Sequence, residues 1–430
     1  MAVHRAAHVS DPRISSHGRT LLLTFNKSLL RYLKYLVPTE IAARVTIENY
    51  HQFARGYLNS RGLMGGWGTI VRNDAALRSL VTQAAATVFT RDEDHPLRDH
   101  STDVLAGEIA LLEQHGLGDR VAYREADVPS HEVLDPEQRD ALFDIYEEYL
   151  RVRSAAGQRY DWYDIATAVR RALEQDREPR RYRHIVLDEG QDFSPEMLRS
   201  LAEAIPDDGS LTFFGDAAQQ IYGRHISWRD AGLNVREPAV FRKNYRNTKV
   251  IADLALAIAA MPYYADEPDM VAPDEFRAAG PPPTLVRCPD EDDETKFVVD
   301  QAKSAMAAGQ SVAILVRRQV DVSRFASKFT KVQRLDDATV WRPGAGVSCG
   351  TIHGGKGLEF ETVFLPLLTN AHIPDPTLIT VVGATEAEAV DGRLLYVGVT
   401  RARQNLVLSC SGELTSLMPT ADGLWIETTP

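Results

Sequence analysis

The chain has 430 residues, 44% hydrophobic and 25% charged, a folded composition rather than a disordered one, and too long for a single compact core. Its net charge of −12, from 60 acidic and 48 basic residues, argues against a broad basic coat but leaves room for a local basic channel. No apolar run reaches the ~18 residues of a membrane-spanning helix, MAVHRAAHVSD lacks a signal-peptide core, and Cys288, Cys349 and Cys410 form no CxxC pair, so membrane, export and zinc-ribbon readings are set aside. In chain order, Leu21–Phe25 reads as a buried strand and Leu29–Leu36 as a helix stopped before Pro38. Val45–Ile47 is a second strand, followed by a helical segment near Phe53–Leu58. From about Asn73 to Ser154 the texture is helical and charged, and Asp135-Pro136 marks a helix start.

Strand character returns at His184–Leu187 and Leu211–Phe214, and a helix is expected over Lys249–Ala260. Gly280-Pro281-Pro282-Pro283 is a stiff linker. The acidic run Asp290 to Glu294 reads as a solvated loop feeding a helix N-terminus, where negative charge is favoured. Further strands are expected at Thr284–Arg287, Ser311–Val316, Val363–Leu365 and Leu406–Ser409. Near-continuous apolar strands alternating with helices imply α/β architecture with parallel sheets covered on both faces.

Five short strings carry chemistry in order: TLLLTFNK, IVLDEGQD, FFGDAAQQIYG, TIHGGKGLEF and LLYVGVTRAR. Asp188 and Glu189 end a buried strand, where open α/β sheets hold ligands. The first acid suits Mg²⁺, a hard cation, and the second can polarise a water. Gln219, just past Gly215-Asp216, is a neutral amide able to sense a phosphate. Tyr222 and Trp228 follow as aromatics able to stack on bases. Arg246 and Arg401 offer planar forks that match phosphate. In the TIHGGKGLEF string the glycines, Gly357 among them, permit close backbone approach. His353 and Lys356 can touch the phosphate or sugar of a nucleic-acid track. Glu359 can meet ribose hydroxyls or an arginine of the cleft.

Together these strings resemble the superfamily 1 DNA helicases of the UvrD/Rep type: DEGQD for DExQD, GDAAQQIYG for GDxxQSIY, NYRN for NYRS, TIHGGKGLEF for TxHxxKGLEF and LLYVGVTRAR for LLYVAxTRA. TLLLTFNK, VTIENYHQF and YDWYDIA add to the likeness. The resemblance implies two RecA-like lobes with ATP and Mg²⁺ in the cleft and single-stranded DNA, or a DNA junction, across both. The expected division is a first lobe in residues 1–72 and 155–235, a helical insertion at 73–154 and a second lobe at 236–430. Asp188 would be the metal acid, Glu189 the catalytic base, Gln219 the phosphate sensor, and Arg246 and Arg401 the arginine fingers. Tyr222, Gly357 and Glu359 would contact ATP. Phe25, Asn26, His51, Trp228, His353 and Lys356 would contact DNA, although GRHISW places Trp228 farther along than the family spacing. A cytoplasmic, nucleoid-associated protein, with a possible protein partner and no membrane, is expected.

The family's phosphate-cradling G-x-x-x-x-G-K-[ST] loop is absent from the 430 residues, and AVHRAAH resembles the helix that follows it. The first sheet is accordingly expected to lack its P-loop strand, and this polypeptide to hydrolyse ATP poorly. The alternatives are a DNA- or partner-binding relic without catalysis, and an RNA motor.

Overall fold

The computed structural model describes residues 1–126, 134–215, 246–264, 278–336 and 344–430, with residues 239, 243–244, 275–276 and 341 between them. The first half runs α1 (Ala2–Val9), β1 (Thr20–Thr24), α2 (Lys27–Leu36), α3 (Thr39–Ala42), β2 (Val45–Asn49) and α4 (Tyr50–Ser60). Four helices follow: α5 (Asp74–Arg91), α6 (Thr102–His115), α7 (Arg120–Glu125) and α8 (Pro136–Ala155). Then come α9 (Ile165–Gln175), β3 (His184–Asp188), α10 (Pro195–Glu203) and β4 (Ser210–Phe213).

Strands β1 to β4 form a sheet in the order β2-β1-β3-β4, with every pairing parallel. The β1 strand, TLLLT, is buried at every position, as a strand covered on both faces must be. One face packs on α4, α9 and α10 through Leu21, Leu23, Ile185 and Leu187. The other packs on α1 and α2 through Leu22 and Val186. Helices α5 to α8 enclose a core of their own around Leu77, Ile109, Leu142 and Tyr149. Asp135 caps α8 in a reciprocal box with Gln138, and Pro136 opens the helix, as the Asp-Pro pair predicts.

The second half contains β5 (Lys243–Asn244), α11 (Lys249–Ala259), β6 (Glu275–Phe276), β7 (Thr284–Cys288), α12 (Glu291–Ala307), β8 (Ser311–Val316), α13 (Gln319–Ala326) and β9 (Gln333–Arg334). It continues with β10 (Gly346–Thr351), α14 (Ile352–Gly355), β11 (Phe360–Leu365), α15 (Pro376–Val382), α16 (Ala384–Thr400), β12 (Ala402–Ser411) and β13 (Ile426–Thr428). Seven strands pair in the order β13-β7-β12-β11-β8-β10-β9, again all parallel, while β5 and β6 pair separately. Two all-parallel sheets are consistent with two RecA-like lobes. The acidic run is not a loop: Asp290 caps α12 through the amides of Asp292 and Asp293, and Glu291 to Glu294 form its first turn. Among the described residues no helix is long and apolar enough to cross a membrane.

The two halves meet along α2. Asn26 accepts from the Ser28 and Leu29 amides as helix cap and donates from Nδ2 to the His353 carbonyl at 2.9 Å. Ser28 Oγ donates to the Leu335 carbonyl at 2.5 Å. Gly357 has a φ of +77°, and a Cβ there would lie 2.6 Å from Leu29 Cδ2. Backbone therefore meets side chain at this point with no atom to spare.

Candidate functional site

The acid pair is placed by the end of β3. Glu189 follows with φ 53°, a left-handed conformation rare for a residue with a side chain. Gly190 makes this turn possible: its amide donates to the Phe214 carbonyl at 2.8 Å, and a Cβ would strike the Phe213 ring. Burial and the neighbouring Glu189 push Asp188 up to about 6, against the pull of the Met1 ammonium and of Arg246. Glu189 goes the other way. Burial alone would raise it, yet the charges of Lys356, Arg401 and Arg246, with a 2.7 Å hydrogen bond from Gln191, hold it below the usual range. The two adjacent carboxyls thus differ in proton affinity, Asp188 holding its proton more tightly than Glu189.

All three cations acting on Glu189 come from the second half of the chain. Arg246 donates from Nε to Glu359 Oε1 at 2.5 Å, and Arg403 lies 3.9 Å from the other Glu359 oxygen. Arg401 is fully buried at the junction of α16 and β12. Its Nε donates to the Val397 carbonyl at 2.9 Å, and Nη1 to the Leu358 carbonyl at 3.3 Å. Asn247 Nδ2 donates to the carbonyls of Thr400 and Ala402, on either side of Arg401, at 2.9 and 2.6 Å. One buried carboxamide thus ties the two arginine segments together.

Lys356, expected on the phosphates of a track, is instead enclosed. It is 1% exposed, and its Nζ sits 2.5 Å from Asp192 Oδ1 across the lobes. A buried ammonium paired this closely has no reach to a surface strand. Asn26 is similarly committed, to its cap and to the His353 carbonyl. His353 is pushed down to about 3 by burial and by the charges of Arg317 and Lys356, so at neutral pH it offers no positive charge to a phosphate. Glu359 meets an arginine of the cleft, the second of its two expected roles.

A different group stands open at the C-terminal end of the first sheet. Phe25 lies 6.2 Å from His51, and His51 lies 5.0 Å edge-on from Trp162. His51 Nε2 donates to the Trp162 carbonyl at 3.2 Å, and burial lowers its proton affinity. The cluster therefore presents neutral, partly exposed rings rather than charge.

Comparison with known proteins decides the family. The UvrD/REP helicase N-terminal domain matches residues 3–236, and the UvrD-like helicase C-terminal domain matches residues 342–413. The chain belongs to the UvrD/REP helicase family. It is 24% identical over 438 residues to the ATP-dependent DNA helicase UvrD2 of Mycobacterium tuberculosis (strain H37Rv), a match covering 77% of this chain and 62% of that protein. The chain thus spans under two thirds of that relative's length. The putative ATP-dependent DNA helicase YjcD of Bacillus subtilis is 48% identical over 67 residues, 15% of this chain and 9% of its own. Among solved structures, the C-terminal domain of a possible DNA helicase from Lactobacillus plantarum WCFS1 overlaps 43% of this chain and 98% of its own, at a TM-score of 0.32 and 20% identity.

Within this UvrD/REP chain, Gln219, Tyr222 and Trp228 lie outside the described residues. Sequence reasoning gave no role to Trp162, Asn247 or the Asp192–Lys356 pair. The first two stand inside the quoted YDWYDIA and NYRN strings, so position within a motif was the available signal. The pair had none, since 164 residues separate its members.

Proposed function

We propose that this chain is the core of an ATP-driven motor that moves 3′ to 5′ on single-stranded DNA and opens duplexes or junctions. The observation that carries the reading is the convergence on Glu189: against its burial, a carboxyl at the end of β3 is held ionised by Lys356, Arg401 and Arg246 of the other half. In this reading residues 1–72 and 155–235 form the first lobe, 73–154 an inserted helical layer and 236–430 the second lobe. The triphosphate lies between the lobes. Tyr222, Gly357 and Glu359 contact the nucleotide, and Gln219 senses its terminal phosphate.

Asp188 fits Mg²⁺: it is an oxygen donor at a strand end, beside a second carboxylate. Mg²⁺ there would supply charge neutralisation for phosphate oxygens. Glu189, kept ionised, accepts a proton from the attacking water. Arg246 and Arg401 neutralise charge that develops on the transferred phosphoryl group, a role worth ~10³–10⁵ in rate in the arginine-finger cases. Phe25, His51 and Trp162, with Trp228 and His353, stack on or border the bases. Asn26 and Lys356 act from beneath the track, by holding the lobes that carry it.

The phosphate-cradling loop is not among these 430 residues. This polypeptide is therefore expected to bind DNA and to hydrolyse ATP feebly. The experiment measures DNA-stimulated ATPase of the 430-residue chain beside that of E189Q. Single-stranded DNA and RNA affinity are measured by anisotropy. The chain should show weak DNA-stimulated hydrolysis that E189Q removes. W162A should weaken DNA binding about 10-fold, one stacked base being worth ~1–3 kcal/mol. DNA binding without any hydrolysis would make the protein a relic. RNA outcompeting DNA would make it an RNA motor.

A further inference from the structure

Away from the lobes' crevice, a cavity of about 420 Å³ opens where α6 and α8 meet α9, lined among others by Glu113, Tyr146, Arg153, Tyr160 and Asp164. Three carboxylates gather there: oxygens of Glu113, Asp161 and Asp164 all lie within 4.8 Å of one another. Two are committed to the fold. Asp161 accepts from the amides of Tyr163 and Asp164, from Tyr149 Oη at 2.6 Å and from Arg153 Nη1 at 2.7 Å. Asp164 accepts from the Asp161 amide at 2.9 Å and from Arg153 Nη2 at 2.6 Å.

Glu113 is not so provided for. Its side chain is 1% exposed, its nearest cation is Arg153 Nη1 at 3.7 Å, and neither of its oxygens accepts a hydrogen bond. A buried carboxylate without a donor is among the least favourable groups a fold can contain. The charge count is also unbalanced: taken as ionised, three carboxylates face one buried guanidinium, a local −2, while Arg159 and Arg171 line the cavity's exposed side. A proton shared between Glu113 and Asp161 would remove one charge and leave the cavity unused. A divalent cation removes both.

We propose that this joint binds one divalent, oxygen-preferring cation of the Mg²⁺, Mn²⁺ or Ca²⁺ class, with Glu113 as its principal ligand and Asp164 and Asp161 beside it. The donor set is all oxygen, the preference of hard cations. The cavity has room for waters to complete the coordination sphere, each occupying about 30 Å³. Bound there, the cation ties α6 to the start of α9 and so fastens the α5–α8 layer to the first sheet. The site is built from none of the residues assigned to ATP or DNA.

The test uses the 430-residue chain stripped with EDTA and returned to metal-free buffer at pH 8. Mg²⁺, Mn²⁺ and Ca²⁺ are titrated while thermal unfolding is followed. Tb³⁺ luminescence, excited through Tyr146 and Tyr149, gives an independent stoichiometry. At a hundredfold excess over Kd the melting temperature of the wild type should rise by about 3 °C, with one Tb³⁺ per chain displaced by Ca²⁺. E113Q should lose both responses while unfolding no lower than the wild type in EDTA, because the carboxamide relieves one unbalanced charge. D188N should retain both. An unchanged melt, equal responses in wild type and E113Q, or loss of the response in D188N would each overturn the proposal, the first in favour of a proton held between carboxyls.

Discussion

Lys356 and Asp192 illustrate what one residue pair can do across a crevice. Each sits in a different lobe, and both are almost fully enclosed. Taking one partner from a buried pair leaves an uncompensated charge, at a cost of about 3–5 kcal/mol, whereas taking both costs much less. K356M is therefore expected to destabilise by that amount in urea unfolding, and K356M/D192N by clearly less than the sum of the two single changes. Strict additivity would mean that the pair does not couple the lobes. The same ammonium opposes the burial of Glu189 more strongly than either arginine, so K356M should also raise the proton affinity of that carboxyl.

At the scale of elements, α2 is both a helix of the first lobe and a clasp on the second, and Asn26 does both jobs with different atoms. Oδ1 caps the helix, while Nδ2 holds the His353 carbonyl. N26D keeps an acceptor for the cap and removes the donors, so hydrogen exchange should rise at residues 352–357 and stay unchanged in α2. N26A should raise exchange in both segments and lose the ~1 kcal/mol typical of a cap. If N26D loosens α2 as well, the two roles are not separable. Much of this architecture was legible beforehand. The strands around Leu22, Val186, Ile314 and Phe364 announce themselves as apolar runs, and Asp135-Pro136 as a helix start. β10 was not legible. GVSCGT is buried from its second residue onward, yet it holds too few large apolar residues to read as a core strand. It is buried because β8 and β9 flank it, a fact of tertiary pairing. The site divides in the same way. Acids and arginines fall in strings that can be read, whereas the enclosure of Lys356 and the opening beside Trp162 exist only once distant segments meet.

Across the whole molecule, burial of histidines sets a response to acid. His353 is pushed down to about 3 by burial, Arg317 and Lys356, and His115 to about 4 by burial and Arg199. Above pH ~6.5 both are neutral, folded or unfolded, and their contribution to stability is fully present. As pH falls below that value the unfolded chain takes up protons that the folded chain refuses, and stability drops by ~1.4 kcal/mol per pH unit for each group. Asp188 and Asp192, both raised to about 6 by burial, act in the opposite sense, because the folded state binds their protons first. Comparison with H353Q isolates the histidine. Relative to H353Q, the wild type should lose about 2 kcal/mol between pH 7.5 and pH 5, read from urea midpoints. A constant difference would mean that His353 titrates freely.

The contact of Gly357 with Leu29 carries a mechanical corollary. Where the second lobe rests against α2, its closest approach is fixed by the hydrogen that stands in place of a side chain, with Leu29 Cδ2 occupying the room a methyl would take. One added carbon at that position would have to hold a left-handed backbone and push the tip of Leu29 aside, a local strain at the seam that leaves every carboxylate and guanidinium of the crevice chemically intact.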